Sequence, residues 1–238
     1  MELRLLVIDT ETTDIESGIP CEISATLYQL GDSIKSTGAI ASWSSLLPVT
    51  SNKAEAINGI PWQLTQIAHT DSIAWDSISL ISRIAQTCDY AIAFNADFDA
   101  PIVNKLLNLE RLKWICAMKD INWGYPAKPH GNFKLVDLGL WMGIGVSTAH
   151  RAGDDVRLLV ECLNRRKESL PEMLETATVV AKSPVLELKA LVSYENRGLA
   201  SDAGFFWDGD RKVWVKKVKE CHLDSFVKTL SFKTEILS

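Results

Sequence analysis

Apolar and polar positions along the chain change period several times. Leu3 to Ile8 is a mostly apolar run, the pattern of a strand buried on both faces. Glu22 to Leu30 and Ser36 to Leu46 read as two more strands. The turn Gly31-Asp32-Ser33 separates them, which predicts an opening antiparallel meander. Pro61 to Ala68 and Ala74 to Thr87 carry helical spacing, with Pro61 suited to a first turn. Tyr90 to Asn95 reads as a strand, Pro101 to Leu107 as a helix and Leu112 to Ala117 as a last strand. Phe133 to Met142 and His150 to Arg166 read as helices. Three strands followed by alternating helix and strand predict a mixed α/β sheet flanked by helices.

A boundary is expected near Ala181 to Pro184, giving a main domain over 1–182 and an accessory domain over 183–238. Beyond it, Val185 to Val192 and Arg211 to Val218 read as strands, and Glu195 to Ala203 and His222 to Leu230 as helices. This βαβα unit of about fifty-five residues is too small for a large core. It is expected as a small α+β appendage that packs on the main domain or on a second copy. It places Phe205, Phe206, Trp207 and Trp214 beside Lys212. Trp207 and Trp214 are read as core, with base stacking as the alternative. The segment Asn122 to Asn132 holds Gly124, Pro126, Pro129 and Gly131 and is a loop by composition. Its Lys128 and His130 are either substrate contacts or part of a solvated connector.

A chain of 238 residues with 47% hydrophobic and 23% charged residues is ordinary for a globular protein. Its apolar runs fall short of the about 20 residues that a membrane span needs. The first residues lack a basic stretch followed by a long apolar core, so no signal peptide is expected. Cys21, Cys88, Cys116, Cys162 and Cys221 are scattered without a C-x-x-C pair. That pattern points to a reducing, cytoplasmic setting and away from structural zinc.

Candidate chemistry lies in three short stretches: Ile8-Asp9-Thr10-Glu11-Thr12-Thr13, Phe94-Asn95-Ala96-Asp97-Phe98-Asp99 and His150-Arg151-Ala152-Gly153-Asp154-Asp155. Asp9, Glu11, Asp99, Asp155 and His150 make four carboxylates and one histidine, the set a two-metal phosphodiesterase needs. A phosphodiester repels hydroxide, and two cations roughly 3.5–4 Å apart offset that repulsion. Mg²⁺ and Mn²⁺ are hard ions that take oxygen ligands, hence Asp and Glu rather than Cys. A strand puts residues i and i+2 on one face, so Asp9 and Glu11 can point into one pocket.

These stretches resemble the DEDDh (DnaQ-like) 3′–5′ exonucleases, a group that includes the proofreading subunit of DNA polymerase III and ribonuclease T. Asp9 and Glu11 match the family's D-x-E. Asn95 to Asp99 matches most of H-N-x-x-F-D, and His150, Ala152 and Asp155 match H-x-A-x-x-D. Trp114 to Lys119 also resembles exonuclease X of the same family, and the likeness runs from Glu2 to Arg166. The resemblance implies a ribonuclease H-like sheet, two Mg²⁺ or Mn²⁺ ions, and release of nucleotides from nucleic acid 3′ ends, DNA before RNA. It implies that Asp9 bridges both metals, that Glu11 and Asp155 complete the catalytic metal's shell, and that Asp99 holds the second. It makes His150 the general base, puts Thr10, Thr12, Ile60, Asn95 and Phe98 against substrate, and places the ligand after Phe98, so that Asp97 is expected to be solvated or a helix cap and Asp154 to face away. Phe94, Asp14 and Asn58 depart from the family's usual His, Gly and His, which bears on substrate preference.

Net charge is −5, with +2 over Lys182 to Ser238 and −7 before it. Two divalent cations would offset part of the latter, so this balance permits nucleic acid as a partner with modest nonspecific affinity. A 3′–5′ exoribonuclease and a noncatalytic binding module are the alternatives, and a homodimer is compatible with the appendage.

Overall fold

A computed structural model of the chain describes residues 2–109, 112–126, 133–146 and 150–237. It divides into two compact units, residues 1–123 with 134–177 and residues 124–133 with 178–238. In the first unit, β1 (Leu3–Thr12), β2 (Pro20–Leu30) and β3 (Gly38–Leu46) form the expected antiparallel meander. Then come α1 (Glu55–Asn58), α2 (Trp62–Thr70), α3 (Ile73–Ala85), β4 (Tyr90–Ala93), α4 (Ala96–Leu107) and β5 (Trp114–Cys116). They are followed by α5 (Leu135–Trp141), α6 (Ala152–Arg165) and α7 (Leu170–Lys182), the last straddling the division. The sheet order is β3-β2-β1-β4-β5, with β1–β4 and β4–β5 parallel. This is the expected mixed sheet flanked by helices.

The central strand β1 explains the layering. Leu5, Leu6, Val7 and Ile8 are all buried, so both of its faces are covered. Leu6 and Ile8 share a core with Ile23 and Ala25 of β2, Ile81 and Ala85 of α3, and Val103 and Leu107 of α4. On the opposite face lies α6. Alternation puts Glu22, Ser24, Thr26 and Tyr28 of β2 on that side, and two of them tie down the helix. Tyr28 donates to Asn164 Oδ1 at 3.1 Å, and Glu22 holds Arg151. Gly153 faces β2 and β3, where an added Cβ would lie 3.4 Å from Ser44 Oγ, in ordinary contact. At Gly139 of α5 an added Cβ would meet Leu158 Cδ1 of α6 at 2.7 Å.

Several boundaries differ from the sequence pattern. Helix α4 starts at Ala96 rather than at Pro101, which lies inside it. A proline there removes one helical hydrogen bond without ending the helix, because the side chains around it remain packed. Helix α6 starts at Ala152, so His150 precedes it. Helix α7 is not among the expected elements although its buried Leu170, Leu174, Ala177 and Val180 stand at helical spacing, and the four-residue α1 is too short to show a period. Residues 127–132 of the loop, with Lys128 and His130, lie outside the described residues.

The second unit is βαββαβ rather than βαβα: β6 (Val185–Leu191), α8 (Arg197–Asp202), β7 (Phe206–Asp208), β8 (Val213–Lys219), α9 (Leu223–Val227) and β9 (Lys233–Ile236). The sheet order is β7-β8-β6-β9, with every pair antiparallel. Strands β7 and β9 are edge strands of three and four residues, too short to display an alternation. Leu188, Ala190, Ala200 and Phe205 form a small core, against which Trp214, Phe226 and Phe232 pack. Trp214 thus fills core as expected, whereas its cross-strand partner Trp207 is 54% exposed. Among the described residues no helix is long and apolar enough to cross a membrane.

Truncation at the α5–α6 interface should be costly. Leu158→Ala, at a buried position, should lose about 2–5 kcal/mol of stability in urea titration. Leu140→Ala, at an exposed position of α5, should stay within about 0.5 kcal/mol. Equal losses would mean that α5 is held differently.

Candidate metal centre

Strand β1 continues past its parallel partner: the β1–β4 pairing ends at Val7 with Ile92, while β1 runs on to Thr12. Asp9 and Glu11 therefore project beyond the carboxyl end of β4, in the crevice where sheet-based folds place ligands. They lie on one face by alternation. Asp155, in the first turn of α6, covers that face. Asp9, Glu11 and Asp155 each offer a carboxylate oxygen, and these oxygens lie within 4.8 Å of one another.

Asp99 reaches the same strand end from α4. Its side chain is 2% exposed, and its Oδ1 accepts from the Thr10 amide at 3.0 Å and the Thr10 hydroxyl at 2.8 Å. It stands outside the three-carboxylate set but close enough for its charge to act on Asp9. Because Asp97 and Asp99 both belong to α4, two residues apart means about 200° around the helix axis. Asp97 accordingly points outward, to an ion pair with Lys119. The inward carboxylate is the one after Phe98, the position that the resemblance implies.

The electrostatics follow from this crowding. Burial, then Asp99 and Asp155, hold the Asp9 carboxyl well above the usual range. Burial, then Asp155 and Glu22, push Glu11 up to about 7. Burial pushes Asp99 up to about 6 in spite of the two Thr10 bonds. Burial likewise pushes Asp155 up to about 6, with the charge of His150 acting in the opposite sense. His150 itself is exposed, in the left-handed region at φ 66°, immediately before α6. Three converging oxygen donors in a site that disfavours their ionised forms fit a hard divalent cation.

The remaining expected residues fall in two groups. Thr10 is bound to Asp99, and the Thr12 hydroxyl donates to the Asp14 carbonyl at 3.0 Å, so both are buried parts of the strand end. Ile60 is 1% exposed and packs with Cys21 and Val49. Asn58 is also buried. It donates to the Thr12 carbonyl at 3.2 Å and accepts from the Ile60 amide at 3.1 Å, bracing the turn. Asn95 is exposed at the start of α4. Phe98 is half-buried and lines a cleft of about 670 Å³ with Ile15, Ile19 and Ile102.

The sequence pattern missed Glu22. It is a buried carboxylate directly across the β1–β2 ladder from Glu11. Both of its oxygens are engaged by the start of α6. Its signal was an acidic residue near the head of a strand, on the side shared with Ser24 and Thr26.

Residues 186–237 match a family described as a domain of unknown function (DUF8626). None of the curated proteins matches the chain. Among solved structures, cell-death related nuclease 4 (CRN-4) is similar at 15% identity and a TM-score of 0.53, over 99% of this chain and 81% of that one. E. coli exonuclease I, in complex with a dT13 oligonucleotide, is similar at 14% identity and a TM-score of 0.54. That match covers 84% of this chain but only 50% of the other, so this chain spans about half its length. A product-bound exonuclease I is similar at 12% identity and a TM-score of 0.51, over 99% of this chain and 63% of that one. These likenesses establish the fold, the ribonuclease H-like sheet of exonucleases.

The raised carboxyls make stability depend on pH. A carboxyl whose folded pKa lies above its unfolded value binds more protons when folded. Its contribution is complete below the unfolded pKa and is lost as pH rises through the folded one. Without divalent cations, melting temperature should therefore fall between about pH 4 and pH 7 as Asp99, Asp155 and Glu11 ionise. Mn²⁺ should raise it most above pH 7. A metal-free protein that gains stability across this window, in a differential scanning experiment, would contradict the crowding.

Proposed function

We propose that this protein is a metal-dependent 3′–5′ exonuclease of the DEDDh type, acting on DNA 3′ ends before RNA. The observation that carries the reading is the convergence of Asp9, Glu11 and Asp155, with Asp99 buried beside them and an exposed histidine at the same helix end. The similarity in fold to CRN-4 and to an exonuclease I that binds a dT13 oligonucleotide supports the same reading.

Asp9, Glu11, Asp99 and Asp155 would hold two Mg²⁺ or Mn²⁺ ions. When bound, such ions neutralise charge on the phosphodiester and on both the attacking and the leaving oxygen. The chain's own residues do the rest. His150, exposed at the start of the helix that carries Asp155, takes the proton of the attacking water. Thr10 keeps Asp99 from turning out of the site. Phe98 and the apolar walls of its cleft receive the terminal nucleoside, and Asn95, exposed at the start of α4, contacts substrate. Ile60 and Thr12, both buried, act indirectly, through the turn that Asn58 braces.

The accessory domain, residues 183–238, we assign to holding substrate or a partner and to no chemistry. Phe206 at 73% and Trp207 at 54% exposure on its β7 edge support this. Dispersed cysteines suit a cytoplasmic enzyme.

Two sets of measurements test the reading. Oligonucleotides labelled at the 5′ end, as matched DNA and RNA, should shorten from the 3′ end with Mg²⁺ or Mn²⁺ and stay intact in excess chelator. Asp9→Ala and Asp99→Ala should lose nearly all turnover, Asp97→Ala little, and His150→Ala about 10²–10⁴-fold. Cleavage in chelator, or an Asp97→Ala loss exceeding that of Asp99→Ala, would refute the centre. Faster attack on RNA would reassign the substrate. In the full chain, Trp207→Ala should weaken binding of a long single strand by about 1–3 kcal/mol while leaving cleavage of a bound end unchanged. Unaltered affinity in both Trp207→Ala and Phe206→Ala would remove the substrate role of the edge.

A further inference from the structure

Glu22 is a fifth carboxylate at the metal centre, and its chemistry differs from that of the other four. It is 3% exposed and lies opposite Glu11 in the β1–β2 register. Its oxygens are fully engaged. Oε1 accepts from Arg151 Nη2 at 2.7 Å, and Oε2 accepts from Arg151 Nε at 3.0 Å and from the Ala152 amide at 3.0 Å. This is a bidentate fork plus a bond to the first residue of α6, the strongest class of side-chain anchor.

The anchor acts where the backbone most needs one. His150 sits in the left-handed region, Arg151 is extended at φ −132° and ψ 127°, and the helix begins at Ala152. That sharp reversal delivers His150 on one side of the anchor and Asp155 on the other. The far end of the same helix is tied to the same strand by Tyr28 and Asn164. The lengths agree: six residues of strand span about 20 Å, and thirteen of helix about the same. Helix α6 is thus laid along β2 and pinned at both ends.

We propose that Glu22 and Arg151 are positioning residues. Together they lock the first turn of α6 so that His150 and Asp155 meet the centre formed with Asp9 and Glu11, and Glu22 does not itself take a cation. The proposal rests on the exonuclease reading for its rate effects and on the cation centre alone for its binding effects. Glu22 as a ligand would have to release Arg151. The Arg151 guanidinium offsets part of its charge, and what remains still acts on Glu11 across the ladder.

The test uses the full chain with Glu22→Gln, Arg151→Ala, Arg151→Lys and, at the other end of the helix, Tyr28→Phe. Mn²⁺ alone is titrated calorimetrically, and single-turnover cleavage of a DNA oligonucleotide is followed at saturating Mn²⁺ across pH. Positioning predicts that Glu22→Gln and Arg151→Ala both weaken Mn²⁺ binding or slow cleavage by about 10–100-fold. Arg151→Lys should recover part of the loss, and Tyr28→Phe should lower melting temperature without either effect.

A ligand role predicts the opposite sign for the two partners: Glu22→Gln weakens Mn²⁺ binding, while Arg151→Ala frees the carboxylate and tightens it. That result would overturn the proposal. So would Tyr28→Phe matching the other variants in cleavage and Mn²⁺ binding, because the pair would then only stabilise the helix. Where Arg151→Ala does not fold, Arg151→Lys carries the same comparison. A wild-type chain that binds Mn²⁺ but cleaves nothing would refute the exonuclease reading and leave the binding arms decisive. One that binds no Mn²⁺ would overturn the positioning proposal along with the centre.

Discussion

Mutual repulsion among carboxylates at the end of β1 is the constraint that the surrounding structure must withstand. Asp9, Glu11 and Asp155 bring oxygens within 4.8 Å of one another, with Asp99 and Glu22 close behind. Two like charges at about 4 Å repel by roughly 4 kcal/mol at an effective dielectric of about 20. A domain whose whole stability is about 5–15 kcal/mol cannot hold several such pairs ionised without compensation. The chain compensates selectively. Asp99 receives two hydrogen bonds from Thr10, and Glu22 receives Arg151 and a backbone amide. Asp9, Glu11 and Asp155 are left facing each other, and protons or cations must supply what the protein does not. A site that repels itself when empty is one that binds cations strongly when they are present.

The scaffold that carries this repulsion is rigid where it has to be. Strand β1 is covered on both faces and pairs with neighbours on both edges. It brings Asp9 and Glu11 to a fixed point on a buried element rather than on a loop. Each further carboxylate comes from a helix whose start is tied to the sheet: α4 through Asp99 and Thr10, α6 through Arg151 and Glu22. Both ties are hydrogen-bonded and lie within the first turns, so errors in helix packing further along have little leverage on the centre. The rigidity of the elements, more than any single bond, keeps the oxygens near one another.

Much of this was legible in the sequence because it depends on local periodicity. The alternation of Asp9 and Glu11 survives in β1, which simply runs four residues further than its apolar stretch, to Thr12. Apolar character marks burial in the sheet, and the end of a strand that bears the site must be polar, so pattern alone undercounts it. Pro101 misplaced the start of α4, because proline favours first turns but tolerates an interior position when packing offsets one lost bond. The outward Asp97 and inward Asp99 were nonetheless distinguishable by motif, and the helix supplies the reason. Glu22 was illegible for a different cause. Its meaning depends on Arg151, 129 positions away, and a pairing of that range leaves no periodic trace in a single chain.

The second unit shows the same limit more sharply. Its two outer strands are three and four residues long, and its core is only Leu188, Ala190, Ala200 and Phe205 with half-buried aromatics around them. Much of what orders the sheet is polar: Arg211 reaches both Glu187 and Asp208, and Lys189 pairs with Glu235. Such pairs contribute little each at an exposed surface, yet they fix which strand lies beside which. An apolar pattern finds the two inner strands β6 and β8 and both helices but not the edges, which is why βαβα was expected where βαββαβ stands. Function follows the same logic in both units. The sheet of the first unit is shared with nucleases at 12–15% identity, and a fold by itself hosts many chemistries. What narrows the reading is the group of carboxylates that the fold forces together, because no structural need would place so many unneutralised acids at one strand end.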